Sequence, residues 1–383
     1  MNGKNRRHAE IAGGGIAGLT MACCLARRGW SVTLHERNAE LREMGAALYL
    51  KVNSLAVLKE LGLLPAAREV GERLLNGRLQ DERGRVLLSR VLPPNEEAIV
   101  MLRPDLHRIL AGCARDAGVE VMTSSEVVRA DPAGAVELAT GQIRRADLVV
   151  GADGHRSPVR ESLGLTRSLE EIEEGAIRVL APRAPGERKG LSIEYWSGDL
   201  RLGVVPCSSD QLYVFMIGPH KHAGVRSLPI DKAFWSRAFP HLADVIERIP
   251  AGAGRYDRLM LGMVHAWSSG RAAIIGDAAH AQPPNLGQGA GMSMANAAAL
   301  ARRLDDTDDV LQALGQWEQA RRPVSEAVQR WSYRYGLLGY GVPARLSRLR
   351  SAFVWTVGHI GPTARGWGWV WRGGHHTGEI QTL

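Results

Sequence analysis

The stretch IIGDAAHAQPPNLGQGAGMSMANAAALA, from Ile274 to Ala301, is the part of the chain whose reading decides the fold. An apolar strand, Ala272 to Ile275, stops at Gly276 and Asp277. A loop broken by Pro283 and Pro284 follows, and Gly287, Gly289 and Gly291 then open a helix of small residues. No β-branched residue stands between Met292 and Ala301, so nothing in that run resists helix. Glycines just ahead of a helix let a ligand approach the backbone. The helix N-terminus adds unpaired N–H donors and a partial positive charge. The stretch predicts an anion-stabilising site.

A second site of this kind lies near the other end of the chain. A short buried strand, Ala9 to Ala12, enters Gly13-Gly14-Gly15-Ile16-Ala17-Gly18, and an apolar helix, Leu19 to Arg28, follows. Gly29 ends that helix, and Ser31 to Glu36 alternates as the next strand, closing on an acid. GxGxxG between strand and helix, with a terminal Glu36, is the dinucleotide fingerprint in the context it requires. The glycines serve the turn and a pyrophosphate, and the carboxylate serves a ribose diol. Two helix mouths far apart in the chain predict one long cofactor held at both ends.

The bulk numbers agree with such an enzyme. At 383 residues there is room for two interleaved domains, and 45% hydrophobic with 23% charged residues is ordinary globular composition. The formal charge of +8 fits an arginine-rich solvated surface or the steering of carboxylates and phosphates. No Lys/Arg run with interleaved aromatics appears, which excludes nucleic acid as the expected partner. Cys23, Cys24, Cys113 and Cys207 form no framework and read as buried thiols in a reducing cytoplasm; no metal site is assigned. The start, MNGKNRRHAEIAGGG, passes straight into the glycine loop without a signal peptide. The apolar region Ala352 to Trp371 is cut by Gly358, Pro362, Arg365 and Gly366, so no membrane span is expected.

Between the two glycine sites the patterning changes several times. A helix is expected from Ser54 to Leu61, a hairpin from Arg78 to Arg90, and a helix starting at Pro104-Asp105, just after Arg103. Strands follow at Val119–Met122, Glu126–Ala130, Ala135–Leu138 and Leu148–Val150, the last entering GADGHRSPVR with Asp153. From Gly175 to Gly218, runs such as IRVLA, LSIEYW, RLGVV and QLYVFM predict an antiparallel sheet. Two helices come next, Asp231 to Phe239 and His241 to Ile249. The chain then returns to the first domain through Tyr256 to His265, and a long helical region, Val310 to Tyr335, is interrupted at Pro323. The fold class is α/β. A Rossmann-like domain in three parts (1–75, 98–172, 258–335) interleaves with a substrate domain (76–97 and 173–257), and a tail covers 336–383.

The ordered triple GGGIAG…E, GADG and GDAAH…P…GQG resembles the class A flavoprotein monooxygenases, the p-hydroxybenzoate hydroxylase-like aromatic hydroxylases. The resemblance runs from the start to about Tyr333. RRHAEIAGGGIAGLT, GWSVTLHE, PIDKAFW and RYD are similar to the ring-opening branch that oxygenates 2-methyl-3-hydroxypyridine-5-carboxylate. It implies noncovalent FAD, with the pyrophosphate at Gly13, Gly15, Ile16, Ala17 and Gly18 and the adenosine ribose on Glu36. Arg37, Ala47 and Val127 join the cofactor contacts, Arg103 touches the linker, and Asp153 lies behind the pyrophosphate loop. Gly276 and Asp277 hold the ribityl chain. Gly287, Gly289, Ala290, Gly291 and Met292 present the helix mouth to the flavin, and Pro284 lines the face where oxygen adds. The family implies that transient NAD(P)H reduces the flavin, that O2 forms a C4a-hydroperoxide, and that one oxygen atom reaches an electron-rich ring.

For the substrate, the resemblance aligns VPCSSDQLY so that Arg201 and Tyr213 face a carboxylate, an Arg pairing it bidentately and a Tyr adding a directed bond. The expected partner is a small anionic aromatic or N-heteroaromatic compound such as a hydroxypyridine carboxylate. A pocket tyrosine that the branch places near Gly77 is absent, so ring opening does not follow. His220, His222, His265 and His280 read as structural, and no general base is assigned. Gly291 stands where many relatives have Asn, and Asn296 where many have an acid. Trp367-Gly368-Trp369-Val370-Trp371 reads as a pocket lid or a subunit contact, the latter implying a homodimer. Alternatives in view are a flavin halogenase, a prenyl-lipid reductase, and a flavin redox sensor without turnover.

Overall fold

The structure, a computed structural model, describes residues 6–359 apart from Met44 and Arg188. Its centre is a six-stranded sheet in the order 268–269, 272–274, 148–151, 8–12, 31–35, 120–122. Every pairing is parallel except the edge hairpin of 268–269 with 272–274. Strands buried on both faces need continuous apolar runs, and Ala9, Ile11, Leu148, Val149, Val150, Ala272, Ala273 and Ile274 are all fully buried. The first strand runs His8–Ala12 and its helix Ile16–Ala26, with Gly13 and Gly15 between them. This helix is buried on nearly every side, packed between the sheet and the Gly289–Asp306 helix. That placement explains its lack of a polar face.

Gly13 has φ +104, and a Cβ there would stand 2.5 Å from the Ala152 carbonyl oxygen. The strand ending at Gly151 thus presses its loop against the glycine turn. Gly276 has φ +64 and a Cβ there would meet Ala17 at 2.9 Å. The two glycine motifs, hundreds of residues apart in the chain, touch across this point.

The second sheet has seven strands in the order 255–264, 166–182, 211–219, 200–206, 191–197, 76–81, 86–91. It is antiparallel except where 191–197 runs parallel to 76–81, because the expected hairpin joins the sheet as an edge pair from outside the meander. The Thr166–Pro182 strand pairs with Arg255–Val264 along most of its length, through bulges near Ser168 and between Glu171 and Gly175. Strand pairing therefore begins at Thr166 and ends at Val264, where the sequence placed the substrate domain at 173–257. One face carries a separate apolar core around Val179, Leu202, Val214, Met216, Trp235 and Phe239, and the opposite, inner face carries Arg178, Arg201, Tyr213 and Phe215.

The helix over Val310–Tyr340 is continuous and contains Pro323, so the expected interruption does not occur. Proline removes one helical hydrogen bond, but side chains lock the helix to its surroundings on both sides of it. Trp317 Nε1 and Arg321 Nε donate to Asn296, Gln329 Nε2 donates to the carbonyls of Gly262 and Ala281, and Ser332 Oγ donates to that of Pro283. A short helix at Leu64–Val70 was not foreseen. A further helix, Ser347–His359, packs on the Val86–Val91 strand. Trp367 to Trp371, read as a lid or subunit contact, lies outside the described residues. All four cysteines are buried free thiols.

Candidate active site

One cavity of about 430 Å3 runs from the mouth of the first helix to the inner face of the seven-stranded sheet. At its first end lie Gly15, Ile16, Ala17, Ala47, Arg103 and Asp277; along its middle lie Pro284, Gly287, Gly289 and Ala290. Its far end holds Arg201 and Tyr213. The other expected residues stand behind this lining. Gly13 and Gly18 close on backbone, Asp153 lies behind the loop, Gly276 is buried against Ala17, and Gly291 and Met292 are buried.

The glycine loop fits a diphosphate. A Cβ on Gly15 would meet nothing within 4 Å, so this face is open, while one on Gly18 would stand 2.0 Å from the Gly13 carbonyl. Glu36 ends its strand beside the loop, accepting from Gly14 N–H at 3.1 Å and from the Asn38 N–H at 2.9 Å. Val127 is buried at the start of the strand Val127–Asp131, just after Ser125, whose N–H donates to the Glu36 carbonyl, and Arg37 is exposed. Arg103 donates to Glu43 at 3.0 Å and stays at the rim. Asp153 accepts from Val159 N–H, and burial pushes its pKa up.

The middle of the cavity fits a flat ring with polar edges. Gly289 opens an 18-residue helix, and a Cβ there would meet nothing within 4 Å. Asp277 is exposed within a run of otherwise buried residues, and it faces this cavity. Gln282, in the cavity wall, has a buried Nε2 without a protein partner, and Asn53 Oδ1 and Gln288 Nε2, beside Gly291 behind the wall, are likewise unpartnered. Such orphans are costly unless a ligand satisfies them. Sequence reading missed Asn53, Gln282 and Gln288, although Gln288 stands inside the glycine motif that pointed to the site. It also missed Lys51, whose Nζ donates to the Leu286 carbonyl at 2.8 Å and whose pKa burial, with Arg90 beside it, pushes down to about 7.

The far end differs from the expected carboxylate site. The Arg201 guanidinium donates to Glu174 Oε1 at 2.7 Å and to Asn285 Oδ1 at 2.6 Å, with Glu194 at 3.6 Å. Burial opposes the Arg201 charge, but Glu174 and Glu194 hold it. Glu194 reaches the cavity, accepting from Trp196 Nε1 at 2.8 Å and from the Tyr335 hydroxyl at 3.1 Å. Burial raises its pKa above the usual carboxylate range. Tyr213, Phe215, Ile217, Leu74, Leu79 and Leu92 supply the apolar part of the remaining wall, and Arg78, Arg178 and Ser192 its polar part. His220, His222, His265 and His280 do not line the cavity.

Glycine cradle, helix mouth and aromatic pocket in one cavity are the frame of a flavin enzyme that works on a ring. Residues 7–332 match the FAD binding domain family, and the chain belongs to that family, among the class A FAD-dependent aromatic monooxygenases. Similar proteins include 2-heptyl-3-hydroxy-4(1H)-quinolone synthase of Mycobacteroides abscessus, 39% identical over 87% of this chain and 90% of that protein. The aurachin C monooxygenase/isomerase of Stigmatella aurantiaca is 30% identical over 86% and 88%. Among solved structures, the tetrameric form of 2-methyl-3-hydroxypyridine-5-carboxylic acid oxygenase is 35% identical with TM-score 0.83, covering 89% of this chain and 95% of that one. The chain is an FAD-dependent monooxygenase.

Proposed function

We propose that this enzyme hydroxylates a neutral N-heteroaromatic ring bearing an apolar substituent, a 2-alkyl-4(1H)-quinolone being the substrate class, with NAD(P)H as reductant. The carrying observation is that Arg201 is already held by Glu174 and Glu194, so this arginine has no free charge to offer a substrate, while Glu194 beside it stands in the cavity as a hydrogen-bond acceptor. A substrate carboxylate would meet Glu194; a ring N–H would be bound by it. The name of the Mycobacteroides abscessus relative describes a product of the same kind.

In this reading the Gly13–Gly18 loop holds the FAD diphosphate, Glu36 the adenosine ribose, Asp277 the ribityl chain, and the Gly289 helix mouth the pyrimidine edge of the flavin. Gln282 in the wall, with Asn53 and Gln288 behind it, would supply that edge with hydrogen bonds. When bound, FAD supplies the reduction and activation of dioxygen. Glu194 accepts the ring N–H proton, raising electron density at the ring carbon beta to nitrogen. A C–H there becomes C–OH, NAD(P)H provides two electrons, and the second oxygen atom leaves as water. Pro284 shapes the face over that carbon, and Tyr213 and Phe215 pack the ring and its substituent. The test is a panel of 2-alkyl-4-quinolones against hydroxypyridine and hydroxybenzoate carboxylates, scored for NAD(P)H oxidation and oxygenated product. Turnover of the quinolones above the carboxylates is expected; the reverse order sinks the proposal.

A further inference from the structure

From Ala327 to Gly378 the chain has seven arginines and no aspartate or glutamate. The described part of this segment includes the Ser347–His359 helix, which has two distinct sides. Arg350, Ser351 and Val354 face inward. Arg350 donates to the carbonyls of Gly198 and Gly339 and lies over the Trp196 ring, and Val354 joins Leu79, Leu87, Leu88 and Trp196. These contacts fix the helix rigidly on the sheet edge. The outward side carries Leu346, Leu349 and Phe353, the last two 68% and 57% exposed, with Trp355 half exposed. Leu349 and Phe353 are one helical turn apart and stand side by side, and Leu346 precedes them. Arg345 and Arg348 are exposed on the flank of this ridge.

We propose that this helix is an interfacial anchor that docks the enzyme on an anionic lipid surface. A helix with Leu349 and Phe353 on one exposed strip, Arg345 and Arg348 beside it and Trp355 at the far edge of the exposed side has the pattern that lies in a headgroup layer. Charge selects the occupant. Two copies of this face would bring arginines together with no acids to answer them, whereas an anionic bilayer answers both the charge and the apolar ridge. Glu82 and Asp199 act on Arg350, on the inward side, and among the described residues no acid forms an ion pair with Arg345 or Arg348. The sequence beyond His359 continues the composition, with Arg365, Trp367, Trp369, Trp371 and Arg372. Among the described residues no helix is long and apolar enough to cross a membrane, so the contact is peripheral.

The position of the helix gives the anchor a purpose. Trp196, under the helix, meets Tyr335 edge-on at 5.6 Å, and Tyr335 lines the cavity. The docked face is therefore the outer side of the substrate pocket wall, where a lipid-soluble substrate would be concentrated. The inference stands on the helix itself and survives if the substrate proves not to be a quinolone.

The experiment uses the full-length FAD-loaded protein, sedimented with vesicles of phosphatidylcholine alone or enriched in phosphatidylglycerol. Binding to the anionic vesicles, weak binding to the neutral ones, and release at about 0.5 M salt, where charge screening falls below about 5 Å, are expected. Leu349→Glu/Phe353→Glu should cut anionic binding by about tenfold or more, as loss of two buried apolar side chains implies. Arg345→Glu/Arg348→Glu should do likewise, with flavin content unchanged in both variants. No sedimentation with anionic vesicles overturns the proposal, as does binding that neither variant reduces. A change in particle mass by light scattering in the variants, without lipid binding in the parent, would make the face a contact between copies instead.

Discussion

Arg201 donates to Glu174 over 2.7 Å inside the seven-stranded sheet, where the two side chains are 1% and 0% exposed. The pair closes the far end of the cavity and converts an arginine that looked like a substrate cation into part of the wall. Breaking it should act on stability before it acts on binding. Glu174→Ala leaves a buried guanidinium without its closest acidic partner, a change that costs about 3–5 kcal/mol when an ion pair is split. Arg201→Met keeps the volume but strands Glu174, and should cost a similar amount. Glu174→Ala/Arg201→Met should be milder than either single change. Urea unfolding of the three variants reads this directly; additive losses would show that the pair is not coupled.

Glu194 makes a second, separable prediction. Its raised pKa means that the carboxylate form is lost at a higher pH than for an ordinary glutamate. Glu194 can take the ring proton only as a carboxylate, so kcat/KM should fall on the acid side and recover as pH rises through that raised value. Glu194→Gln should remove this acid limb and lower kcat/KM by about tenfold to a hundredfold, the worth of one buried charge-assisted hydrogen bond. An N-methylated substrate should be poor for the wild type and no poorer for Glu194→Gln. If the variant still separates the N–H and N-methyl compounds as the wild type does, Glu194 does not meet the ring nitrogen.

The glycine loop allows cofactor binding to be separated from folding. A methyl group on Gly15 meets no protein atom within 4 Å, and its φ of −78 suits alanine. Gly15→Ala should therefore fold with nearly unchanged Tm yet hold FAD weakly, since the methyl occupies the space a diphosphate needs. Gly18→Ala drives a methyl to 2.0 Å from the Gly13 carbonyl and should lose both. Asp277→Ala, at an exposed carboxylate on the cavity wall, should resemble Gly15→Ala. Bound flavin per chain, read from absorbance after gel filtration, together with thermal melts, sorts the three. A yellow, fully loaded Gly15→Ala protein would remove the diphosphate from this loop.

The sequence announced the nucleotide side of the molecule because that side is built from backbone. Gly13, Gly18 and Gly276 mark places where chains must touch, and such constraints survive in the residue letters. The substrate side was less legible, since the identity of Arg201 says nothing about which carboxylates face it. Glu174 lies in the strand paired across from it through the intervening 211–219 strand, and Glu194 lies on the other side, so only the register of four strands brings them together. Pro323 misled for a related reason. A propensity acts locally, while Asn296, Gly262 and Pro283 hold the helix from distant parts of the chain.

Lys51 supplies the last prediction. Its pKa in the folded protein, pushed down to about 7 by burial and by Arg90, lies well below the usual lysine value that the unfolded chain regains. Between those two values the unfolded state binds more protons, so this residue makes stability rise with pH across that window. Below the folded pKa both states are charged and the cost of burying the ammonium is fully present. Lys51→Met should therefore be the more stable protein near pH 6, and its advantage should shrink steadily from pH 7 towards pH 10. The comparison is made on flavin-free protein by urea unfolding, so that cofactor binding does not enter the difference. Parallel pH profiles for the two proteins would show that Lys51 keeps an ordinary pKa, and that its bond to the Leu286 carbonyl is formed by a fully charged ammonium throughout.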